Sequence, residues 1–154
     1  MTIKSEKGVS AVEFALIAPL LFFLTFGIVE FALLLFDKAV VTNASREGAR
    51  AAIVYHVTGP DLDDYAPLTV LETQKVVTDY ANGYLVNLGQ PGGNNLVIPP
   101  DVTYESGSPV SGEDVTVTVT YTYDFLVFPD LTTLIGGTFD GTINLIGTTV
   151  MRME

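Results

Sequence analysis

Apolar and polar positions divide this chain into three blocks. The first is apolar almost throughout, from Val9 through Leu16–Val29 and, past a single Glu30, on to Phe31–Phe36. About 20 helical residues cross the ~30 Å hydrocarbon layer of a bilayer, so Val9–Phe36 is long enough to span it with some tilt. No proline or turn cluster follows before Gly59-Pro60, which predicts that the helix continues to about Tyr55. Ala44, Gly48 and Ala52 recur at four-residue spacing on this continuation, a narrow small-residue stripe that a second helix or a sheet can approach closely. Pro19 and Gly27 lie inside the run. They suit either an ordinary kink or a point of flexibility.

The second block opens with a polar loop, Thr58–Ala66, containing Gly59-Pro60 and the acids Asp61, Asp63 and Asp64. Pro67 can begin a second helix, with Val70, Val77, Tyr80, Ala81, Tyr84 and Leu88 on one stripe and Gly89 as its stop. Gln90–Asn95 reads as a loop. The third block reads as strands. Leu96–Tyr104 is interrupted by Pro99-Pro100. Val115, Val117, Val119, Tyr121 and Tyr123 alternate with four threonines, giving an apolar face and a hydroxyl face. Leu131–Asp140 reads as a loop with room for one helical turn. Thr142–Arg152 is apolar on both faces, which suits a central strand. Short connections between strands favour an antiparallel meander. The expected fold is α+β, with the far half of a long N-terminal helix and a second helix packed on a small antiparallel sheet. The expected division is a leader at 1–8, the long helix at 9–57 (9–36 in the membrane, 37–57 exported) and an exported head at 58–154.

Composition sharpens this picture. The mean hydropathy is +0.41, unusual for a water-soluble chain, and the excess lies in the first 36 residues. The apolar run is longer than the ~7–15 residues of a secretory signal, and no small-x-small cleavage site follows it. Lys4 and Lys7 precede it, so a single retained span is expected, with a cytoplasmic N-terminus and the bulk exported. The net charge of −11 argues against nucleic acid as a partner. The lack of cysteine excludes disulfides, thiolate metal sites and cysteine nucleophiles.

Candidate chemistry is sparse. His56 is the one histidine and has no serine–acid arrangement beside it. Asp61, Asp63 and Glu72 fall at the first, third and twelfth places of a calcium loop, but Ala66 stands where that loop requires glycine. No cofactor or metal is expected, and an enzyme is disfavoured. Arg46 and Arg50 share a face, with Glu47 in pairing reach of Arg50. Glu30 suits either a neighbouring protein or the headgroup region. Glu13, five residues after Gly8, is a carboxylate at the start of an apolar helix. It suits two roles: an interfacial residue favoured by the helix dipole, or a partner for the ammonium of Val9 on a neighbouring subunit after removal of a leader ending at Gly8.

The residues Gly8-Val9-Ser10-Ala11-Val12-Glu13-Phe14 resemble the cleavage motif of type IV prepilins: glycine, four residues, then glutamate and phenylalanine. Ala15–Leu21, Phe26–Phe31, Thr42–Arg50 and the terminal Met151–Glu154 resemble the TadE-like pseudopilins of the tight-adherence (Flp) pilus system. The resemblance is strong over 8–55, returns at the C-terminus and is weak between. It implies cleavage between Gly8 and Val9 by a prepilin peptidase, and assembly through Glu13 and Phe14 beside other pilin and pseudopilin subunits on a pilus assembly platform. It also implies residence in the bacterial cytoplasmic membrane, with the cell surface reached through a pilus. Against this stands a single-pass, membrane-tethered extracytoplasmic binding domain unrelated to a pilus. An intact Met1 in the membrane form would favour the tether.

Overall fold

A computed structural model describes residues 6–57, 65–86, 100–126, 136 and 141–154. The first element, α1 (Glu6–Ile53), is one helix that runs through Pro19 without interruption. Its 48 residues make a rod of about 72 Å. The rod has two regimes. Between Val9 and Phe26 most side chains are exposed. From Glu30 onward one face is covered: Glu30, Asp37, Val41, Ala44, Gly48 and Ala52 recur at steps of three, four or seven residues and are buried.

α1 stops earlier than the sequence suggests. Tyr55–Val57 forms a short strand, β1, paired antiparallel with β2 (Tyr65–Pro67), Tyr55 opposite Pro67 and Val57 opposite Tyr65. The run Ile53–Val57 is β-branched and aromatic, a composition that favours a paired strand over a last helical turn. Pro67 therefore belongs to β2 and does not open the second helix. That helix, α2 (Val70–Tyr84), starts at Thr69, whose side chain accepts from the Glu72 N–H while the Glu72 carboxylate accepts from the Thr69 N–H, a reciprocal cap. Its buried stripe is Thr73, Val77 and Ala81. Tyr80 is partly buried against the core, whereas Val70 and Tyr84 are exposed. Leu88, Gly89 and the 90–95 loop lie outside the described residues.

Three antiparallel strands form the main sheet in the order β3 (Asp101–Tyr104), β4 (Asp114–Asp124), β5 (Thr142–Arg152). The apolar face of β4 is buried in full, and α1 and α2 pack over it. Its threonines face outward, with Thr118 opposite Thr148 and Thr122 bonded to Asn144. The fold is thus α+β, a long apolar helix and a second helix with small antiparallel sheets. β5 is not the central strand. It is bonded to β4 on one side in this order, and Ile146 and Val150 on its outward face are exposed. What crosses α1 instead is Gly147: a Cβ there would stand 2.7 Å from the Val41 carbonyl oxygen and 3.0 Å from Thr42 Cα. Of the 131–140 loop only Gly136 is described.

Candidate functional site

The residues singled out by sequence sit at two levels on α1. Gly8, Val9, Glu13 and Phe14 lie on its bare end. The helix begins at Glu6, so the Gly8–Val9 bond is inside a helical turn. Val9 and Phe14 are 61% and 71% exposed, and Glu13 is exposed and in no ion pair among the described residues. Near the other end, Ala44, Gly48 and Ala52 are buried beneath α2 and β4. A Cβ on Gly48 would overlap Val77 Cγ2 and press on Val117 Cγ1 at 3.2 Å. Glycine lets α2 and the sheet close on α1 at this level.

Between these levels two carboxylates tie the head to the helix. Glu30 is 3% exposed. Its Oε1 accepts the Leu126 N–H, and its backbone carbonyl accepts the Tyr123 hydroxyl at 3.3 Å. Glu30 thus faces its own head, a third possibility beside the neighbour and the headgroups. Seven residues on, Asp37 is fully buried, and its Oδ1 accepts the Val86 N–H at 3.0 Å just past α2. Its Oδ2 has no hydrogen-bond partner among the described residues. Burial pushes the Asp37 carboxyl above the usual range, partly opposed by the Val86 N–H. Burial, with Asp37 and Asp124 nearby, pushes Tyr121 up to about 12. In the sequence Asp37 belongs to no motif. A carboxylate in step with the Ala44 stripe, at i, i+7 from Glu30, was the available signal.

Other polar residues are spent on local structure. Glu72, considered for calcium, caps α2, while Asp61 and Asp63 lie outside the described residues. Arg50 is held by Glu47 at 2.5 Å on the surface, and Arg46 is exposed beside it. His56 is exposed on β1. Among the described residues no group of three or more histidines and acids could hold a metal ion. Lys38 Nζ donates to the Ile146 carbonyl, and Ser45 bonds Thr149 at 2.8 Å, fastening β5 to α1.

Residues 8–50 match the TadE-like protein family. Over that stretch α1 is similar to TadE-like proteins. No curated protein and no solved structure matches the chain. The matched segment takes in Gly8, Glu13, Glu30, Asp37, Ala44 and Gly48, and ends before Ala52. It includes both carboxylate ties and the start of the small-residue stripe. The likeness is confined to α1, which is long and apolar enough to cross a membrane.

Proposed function

We propose that this chain is a pseudopilin or minor pilin of a Tad/Flp-type pilus, a subunit that works by assembly and not by catalysis. The observation that carries the reading is the family match over 8–50 on a helix whose first half is apolar and bare. In the bilayer that surface is solvated by lipid. In a filament the same surface is buried against the helices of other pilin and pseudopilin subunits on an assembly platform. A prepilin peptidase cuts between Gly8 and Val9. Because that bond is helical here, the first turn has to unwind to enter a protease cleft, and glycine lowers the barrier to doing so. The new Val9 ammonium then pairs with Glu13 of a neighbour, which sets the register between subunits. The head beyond the span lies on the exported side of the cytoplasmic membrane and takes part in surface adhesion.

Mass spectrometry and N-terminal sequencing of the membrane-extracted protein test this. The expected result is a chain beginning at Val9, and a Gly8→Leu variant should retain residues 1–8. Glu13→Ala should still be cut and inserted but enter filaments poorly, since removing one partner of a buried ion pair costs about 3–5 kcal/mol. An intact Met1 in the mature membrane form, with normal pilus production on deletion, overturns the reading in favour of a tethered binding domain.

A further inference from the structure

The covered and bare faces of α1 overlap in height. Glu30 and Asp37 are buried under the head, yet Ile28, Phe31, Leu35 and Phe36 beside them remain about half exposed or more. An apolar groove of about 440 Å³ follows this bare side, past Phe23, Gly27, Phe31 and Leu35. Leu126, whose N–H caps Glu30, is itself 57% exposed. Among the described residues, Leu126 thus sets an exposed apolar side chain of the head beside the apolar surface of α1.

Charge locates the layer that covers them. Between Glu13 and Asp37 the sole ionisable residue of α1 is Glu30, and it is buried. Phe14–Phe36 measures about 34 Å as helix, which fits a ~30 Å hydrocarbon layer at a tilt of about 30°. A layer ending below Glu30, at Val29, would leave Phe31, Leu35 and Phe36 in water. It would also draw Glu13 into hydrocarbon at the other end, where an unpaired charge is costly.

We infer that the lower end of the head is seated in the leaflet on its own side of the membrane, with Leu126, Phe31 and Leu35 against lipid acyl chains. Glu30 then lies about 10 Å below Asp37, inside the hydrocarbon, and the Leu126 N–H supplies the hydrogen bond that lipid cannot. The occupant of the bare face is lipid because the face is uncharged and continuous with the span. The inference rests on α1 being a membrane anchor.

The natural absence of cysteine makes the test direct. Single-cysteine variants Phe22→Cys, Leu35→Cys, Asn43→Cys and Leu126→Cys of the full chain are placed at low density in vesicles of phosphatidylethanolamine with some phosphatidylglycerol. A charged, impermeant maleimide is then added. The other three positions are read against Asn43, which is exposed beyond Lys38. Leu35→Cys and Leu126→Cys are expected to label about tenfold slower than Asn43→Cys, like Phe22→Cys, because the thiolate and the reagent are both excluded from hydrocarbon. Rapid labelling at Leu35 and Leu126 with Phe22 still shielded overturns the seating and leaves the anchor standing. Rapid labelling at all four overturns both. Shielding that appears only at high protein density assigns the face to a second copy and overturns the lipid contact.

Discussion

Asp37 shows how much one side chain can be asked to do. Its carboxyl is buried, holds one backbone N–H and leaves its second oxygen without a hydrogen-bond partner among the described residues. Its native pKa lies above the unfolded value, so the folded chain binds the proton more tightly than the unfolded chain does. Stability from this group is therefore complete at acid pH and declines as pH rises through the native pKa. Asp37→Asn keeps an acceptor for the Val86 N–H and removes the titration. The variant is expected to be more stable than the natural chain at neutral pH, with the difference closing as pH falls into the ordinary carboxylate range. Denaturant unfolding at several pH values, in detergent or lipid, measures it. A constant difference across pH would show that Asp37 is not the titrating group.

At the scale of the element, α2 has an identified start and a weak point. The Thr69–Glu72 cap satisfies N–H groups that no helical carbonyl can reach. Thr69→Ala should cost about 1 kcal/mol. Gly83 is exposed near the end of α2, and a Cβ there meets nothing within 4 Å. Gly83→Ala should therefore stabilise by roughly 0.5–1 kcal/mol. Hydrogen exchange over Val70–Tyr84 would register the two with opposite sign. The elements also show what was readable in the chain. β4 declared itself because its alternation has period two over its whole length and one face is buried in full. The α1 span declared itself by length and hydropathy. The end of α1 did not, because Ile53–Val57 contains no helix breaker and its strand exists only by pairing with Tyr65–Pro67, a partner that its own residues do not announce. β5 misled for a related reason: Ile146 and Val150 are apolar yet lie on the outward face, so composition alone pointed to a central position. The ties of Glu30 and Asp37 to the head were not legible because their partners are backbone N–H groups, which carry no mark in a sequence.

The whole molecule is organised by one rod that serves as an anchor at one end and as part of the core at the other. Helix, second helix and sheet share a single set of buried residues, from Val41 and Ala44 through Val77 to Val115–Tyr123. A disturbance where β5 crosses α1 should therefore be felt throughout the head. Gly147→Ala places a methyl against the Val41 carbonyl, a backbone group that cannot rotate away. A loss of about 1–3 kcal/mol is expected, with amide protection falling in both α1 and β4. A loss confined to β5 would mean that the strand can lift off without disturbing the rest.

The helix crosses from its bare half into the core with no intervening turn, and Glu30 and Asp37 fasten the head to it at two heights. A shaft gripped at two points along its length can neither swivel nor nod beneath what it carries. A twist of the shaft just below these grips therefore carries the globular part round with it, and the direction in which that part looks follows how the shaft is held below.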